Sequence, residues 1–134
     1  MKFSGSIRVG LPTPLSPSGA RGRRIVLPVS VARNRVHTLV GCPLTVAHRG
    51  VEVGRITEAW IDGMRMRFAG KMSCASDDPA TVFRGMRFSW EAEHCHIANY
   101  AARRVWRVRR IERFTAMALV TRPASRSSKL KVYE

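Results

Sequence analysis

No acidic residue precedes Glu52 in this chain of 134 residues, whereas Lys2, Arg8, Arg21, Arg23, Arg24, Arg33, Arg35 and Arg49 do, so the first 51 residues carry +8. Over the whole chain 24 Lys+Arg face 9 Asp+Glu, a net +15 that predicts anionic surroundings. Lysine is scarce as well: only Lys2, Lys71, Lys129 and Lys131, against 20 arginines. Arginine in that excess suits bidentate pairing with phosphate or carboxylate, and equally suits a GC-rich genome. Cys42, Cys74 and Cys95 are odd in number, widely spaced and without a Cys-x-x-Cys, which excludes a disulfide framework or a zinc ribbon and points to a reducing compartment. Long apolar runs are missing. The longest, near Thr115 to Val120, falls far below the ~20 residues that span a bilayer, and Arg8 stands where a signal peptide needs its apolar region. Neither a membrane anchor nor a conventional leader is expected. The chain also lacks a Gly-rich phosphate loop, a zinc signature, an RNA-binding aromatic motif and any internal repeat, so sequence-specific nucleic-acid recognition has no support.

What is present is an ordinary 45% apolar content scattered in short runs, enough for a packed core and for one small domain over residues 1–134. Leu11 to Gly22, with Pro12, Pro14, Pro17, Gly19 and Gly22 among serines, reads as a loop or arm. The β-branched stretch Ile25 to Val31 predicts a strand, pushed to a sheet edge by Pro28. A helical turn is expected at Arg33 to Val40, then strands at Leu44 to His48 and Val53 to Ile61. Asp62-Gly63 predicts a hairpin into Met64 to Phe68, which alternates apolar and charged with period two. Ser76 to Pro79 cap a short helix at Pro79 to Arg84. Met86 to Ile97 alternates as one strand, and Val105 to Val120 as two strands or one bent strand. The fold class is therefore α+β and β-rich: a small barrel-like antiparallel or mixed sheet with one or two short helices.

Several residues could carry chemistry. His48, at the end of a predicted strand, is placed as a general base would be; a surface loop histidine is the plainer alternative. Ser89 is a small hydroxyl between Phe88 and Trp90 in a strand, where serine is a weak former, and reads as a nucleophile or as filler. Strand parity puts Glu91, Glu93 and Cys95 on the Ser89 face and His94 opposite. The same parity separates His94 and His96 from Cys95, so no metal site is expected, and no cofactor is implied. Arg103, Arg104, Arg107, Arg109, Arg110 and Arg113 crowd around Trp106 within eleven residues, a pattern for contact with nucleic acid or another polyanion. Arg107, Arg109 and Arg113 would share a strand face. A solvated sheet face is the alternative.

In their order these features resemble the head maturation (prohead) proteases of tailed phages, whose fold is similar to the herpesvirus assemblins. Leu39-Val40-Gly41-Cys42-Pro43-Leu44-Thr45-Val46-Ala47-His48 followed by Val53-Gly54-Arg55-Ile56 resembles the family segment leading to its catalytic histidine. Phe83 to Glu91 resembles the segment bearing the nucleophilic serine, and Phe114 to Ala124 the closing strand with its Pro-Ala ending. The resemblance implies a serine endopeptidase that processes scaffold and capsid proteins in the host cytoplasm and inside the prohead, with Ser89 as nucleophile and His48 as base. It implies capsid and scaffolding proteins as partners, with DNA or acidic protein segments held by the arginines, no membrane, and an oligomer as an open option. Many members carry an acid in the closing strand where this chain has Ala116, so the group that would orient His48 is not identified. Two other readings keep part of the pattern: a catalytically inactive basic structural or decoration protein of the particle, and a nonspecific nucleic-acid-binding β-barrel.

Overall fold

A computed structural model describes residues 2–14, 24–46, 51–73, 87–93, 96–100, 105–120 and 129–133. Its elements are β1 (Lys2–Arg8), β2 (Thr13–Pro14), β3 (Arg24–Val26), α1 (Val29–Arg35), a 3-10 turn (Val36–Leu39), β4 (Pro43–Val46), β5 (Val51–Asp62), β6 (Arg65–Met72), β7 (Arg87–Glu93), β8 (His96–Tyr100), β9 (Val105–Arg110), β10 (Arg113–Val120) and β11 (Lys129–Tyr133). The first sheet has seven strands in the order β11-β1-β6-β5-β4-β10-β7, and the second has four, β2-β3-β9-β8. Among the described residues only β4–β10 and β3–β9 run parallel. A β-rich mixed sheet curled as a half-barrel, with one short helix, is the fold class that the sequence predicts.

The curl has a visible cause. The inward positions of β1, β5, β6 and β7 combine large rings with glycines: Phe3, Phe68 and Phe88 are fully buried, and each lies where a neighbouring strand offers no side chain. A Cβ at Gly5 would overlap the Phe88 ring, and one at Gly70 would lie 2.8 Å from Phe3 and overlap the Arg55 carbonyl oxygen. One at Gly54 would stand 2.9 Å from the Lys71 carbonyl oxygen. Glycine at these positions lets strands bend and backbones close up, and the rings fill the space. Phe88 thereby brings β7, the last strand of the sheet order, against β1 near the other end. It meets Phe68 edge-on at 4.7 Å, a favoured aromatic geometry.

The hairpin predicted at Asp62-Gly63 forms, one residue later than expected. Asp62 pairs with Arg65, so Gly63-Met64 is the two-residue connection, and Gly63 has φ +60°. That left-handed conformation is cheap for glycine.

Other expectations are corrected. The strand read over Ile25 to Val31 stops at Val26; Pro28 is extended (φ −60°, ψ 146°) and caps α1, which starts at Val29. The helical turn expected at Arg33 to Val40 thus begins earlier, as α1 followed by the 3-10 turn that ends at Leu39, because burying Ala32 and Leu39 outweighs the strand preference of Val29 and Val31. Met86 to Ile97 is not one strand but two. β7 pairs with β10 in the first sheet and β8 with β9 in the second, so two adjacent strands pass together from one sheet to the other. Between β9 and β10 the crossing lies at Ile111-Glu112, where buried Ile111 fills the corner and the Glu112 N–H bonds the Glu93 carbonyl at 3.1 Å. Val105 to Val120 is accordingly the two strands β9 and β10. The helix expected at Pro79 to Arg84, most of the Leu11 to Gly22 arm, His94 and Cys95 lie outside the described residues. Among the described residues no helix is long and apolar enough to cross a membrane.

Candidate active site

Strand alternation turns Phe88, Trp90 and Ala92 of β7 toward the core and Ser89, Glu91 and Glu93 away from it. β10 lies beside β7 with Ala118 opposite Ser89 and Ala116 opposite Glu91. On the far side of β10, β4 runs parallel with Thr45 opposite Ala118. One rung therefore reads Thr45–Ala118–Ser89, with its side chains on one face; at normal strand spacing Thr45 and Ser89 stand about 9–10 Å apart. The next rung, Val46–Leu119–Phe88, faces the core. β4 ends there, two residues short of His48, which lies outside the described residues.

This face carries small residues beside Ser89. Ala118 is fully buried and Ala116 nearly so, while Ser89 and Glu91 are half-buried. Glu91 stands two residues from Ser89, about 6.7 Å along the strand. Glu93, one step further, accepts a 2.8 Å hydrogen bond from Arg113 Nε. Thr45 is only 4% exposed and its Oγ1 has no hydrogen-bond partner. An unpartnered buried hydroxyl costs on the order of 1–3 kcal/mol. Thr45→Val, which exchanges that hydroxyl for a methyl group, is expected to raise stability by about 1 kcal/mol. Urea unfolding checks it; a lower midpoint for the valine variant would mean that the hydroxyl is satisfied in solution.

The other end of β10 is fixed by a polar cluster that the sequence did not announce. Thr38 Oγ1 donates to the Arg35 carbonyl (2.6 Å) and accepts from the Phe114 N–H (2.9 Å). The Cys42 thiol reaches the carbonyls of Thr38 (3.2 Å) and Phe114 (3.3 Å), and Arg35 Nε donates to the Ile111 carbonyl (3.2 Å). Burial pushes the Cys42 thiol above its ordinary pKa, partly offset by the positive charges of Arg113 and Arg55. It is therefore a neutral packing group at pH 7, unlike a nucleophilic thiolate. These bonds tie the 3-10 turn to β10 and so hold the strand between β4 and β7.

The arginine run is divided by the fold. Arg107, Arg109 and Arg110 are exposed on β9, in the second sheet. Arg113 does not share their face: it begins β10, across the corner at Ile111-Glu112, and is engaged by Glu93. Strand parity does not carry across that break. Arg103 and Arg104 lie outside the described residues. Neither a family model nor a curated protein matches this chain.

Proposed function

We propose that this chain is a serine endopeptidase of the prohead-protease kind, with Ser89 as nucleophile and His48 as general base, acting on scaffold and capsid proteins within the host cell and the assembling head. The observation that supports it most is the strand order β4-β10-β7. The strand leading to His48 and the strand bearing Ser89 flank the same central strand, with Thr45 and Ser89 both opposite Ala118. A nucleophile and base far apart in sequence need this kind of neighbourhood.

The position of β7 suits a peptide substrate. β7 ends the seven-stranded order, so among the described residues one of its backbone edges carries no ladder partner. An extended segment can add there as a further strand, its main chain bonded to β7 and its scissile carbonyl brought to Ser89. Attack by Ser89 Oγ on that carbonyl, with the proton passing to the His48 imidazole, would give the tetrahedral intermediate. Return of the proton to the leaving amine frees the first product and leaves an acyl-enzyme, which water hydrolyses. Ala116 offers no carboxylate to orient the base. Glu91, opposite Ala116 on the Ser89 face, is the nearest acid on β7 to Ser89.

The test is co-expression with the capsid and scaffold proteins of the same genome, wild type beside Ser89→Ala, followed by intact-mass analysis. Truncated products are expected from the wild type and none from Ser89→Ala. Full-length masses in both samples, with the protein folded and particle-associated, would overturn catalysis and leave the structural reading, which the alanine at position 116 favours.

A further inference from the structure

We infer that the outer face of β1, β6 and β5 is a binding groove for single-stranded nucleic acid, independent of the Ser89 site and of the β9 arginines. A groove of about 470 Å³ lies there, lined by Ser4, Ser6, Trp60, Arg65 and Arg67 with Gly5 and Phe68 at its base. The registers build it rung by rung. Ser6 pairs with Arg67 and Arg67 with Trp60; Arg8 pairs with Arg65 and Arg65 with Asp62. Lys2 and Lys71 extend the same face at the far end.

Trp60 is there because of a β-bulge. Ile56 is buried, and strict alternation would put Trp60, four residues on, in the core beside it. Ile56 pairs with Gly70 but Glu58 pairs with Ala69, so Thr57 is the extra residue and the phase of β5 reverses. Ala59 and Ile61 then pack on the core while Trp60 turns outward, 43% exposed, beside Arg67. Bulges that re-aim a side chain in this way are typical of functional surfaces. Here the reversal places an indole among cations.

Hydrogen bonds orient two of the cations beside it. Asp62 accepts from Arg67 Nε at 2.6 Å, which takes one of the five guanidinium donors. Arg65 donates to Ser6 Oγ at 3.2 Å, which fixes its direction along the groove. Lys2, Arg8 and Lys71 have no ion-pair partner among the described residues. An exposed indole flanked by cations at intervals of about 6.7 Å along β6 matches a ligand with alternating phosphates and stackable bases. A duplex keeps its bases stacked inside, beyond reach of the indole. An acidic peptide gains most from a free strand edge, but β1 is covered by β11 and β6 lies between β1 and β5, so only side chains can recognise a ligand here.

The experiment is fluorescence-anisotropy titration of a labelled twelve-nucleotide oligodeoxythymidine at several salt concentrations. Trp60→Ala is expected to weaken binding about tenfold, as loss of one stacked base does, while Trp60→Phe stays within about threefold of wild type. Arg65→Gln/Arg67→Gln is expected to weaken binding and to reduce the salt slope by about 2. Arg107→Gln/Arg109→Gln on β9 makes the same change in charge and should cost less than threefold. Urea midpoints equal to wild type certify the fold of each variant. Equal losses from the β6 and β9 pairs with no effect of Trp60→Ala would show binding by net charge alone and overturn the groove. Trp60-dependent binding of polyglutamate at equal affinity would assign the face to an acidic peptide and overturn the nucleic-acid reading. Neither result bears on cleavage by Ser89, and loss of cleavage in Ser89→Ala leaves this groove untouched.

Discussion

Phe88→Ala is expected to lower the unfolding free energy by about 3–5 kcal/mol, the range for deleting a buried phenylalanine ring. Three features put it there. The ring is 1% exposed, it meets Phe68 edge-on, and it occupies the place where Gly5 has no side chain. The backbone at Gly5 cannot supply the missing atoms, so the site would collapse poorly and the cavity term would stay large. The loss is also topological, since this ring brings β7 against β1 where no ladder joins them. For a domain with ~5–15 kcal/mol in all, urea unfolding should show a midpoint shift of about a fifth or more. A shift equivalent to less than about 1.5 kcal/mol, half the low end of that range, would mean that β7 is held by its ladder to β10 alone. Because Ser89 is the next residue, partial fraying of β7 should also lower any cleavage before the fold is lost.

What the sequence made legible follows the range of the interactions. The β5–β6 hairpin was readable because its pattern and turn lie within ten residues: alternation in Met64 to Phe68 and a glycine free to take φ +60°. α1 was misread because Val29 and Val31 look like strand residues locally, and only packing of Ala32 and Leu39 against distant strands decides for helix. The corner between the sheets is not legible, since Ile111-Glu112 interrupts alternation by too little to register. As a result Arg113 was grouped with Arg107 and Arg109. Ser89 and His48 stand out in the sequence through their local settings and motif order, but the rung Thr45–Ala118–Ser89 depends on a parallel pairing between segments some seventy residues apart. No periodicity carries that. Alternation along β5 cannot place Trp60 either, because one residue, Thr57, reverses its phase.

Gly70→Ala tests the bend that makes this arrangement possible. Its expected cost is about 3 kcal/mol, the upper end for overpacking, and the reason is what the methyl group would meet. Phe3 could turn slightly, but the Arg55 carbonyl oxygen belongs to the backbone of the neighbouring strand and has nowhere to rotate. β5 and β6 would have to separate at Ile56–Gly70, the pair that immediately precedes the bulge. Gly63→Ala is the useful comparison. Gly63 has φ +60° and open space around it, so alanine there costs only the left-handed strain of about 1–2 kcal/mol. Urea unfolding should therefore rank Gly70→Ala as the more damaging, although Gly70 needs no special backbone angle. The reverse ranking would mean that the strands can part at Gly70 without penalty, and the curl would then owe nothing to its glycines. If the ranking holds, the close approach that excludes a Cβ at Gly70 also anchors the bulge that turns Trp60 outward. One glycine would then serve both the half-barrel and the charged groove on its outer face.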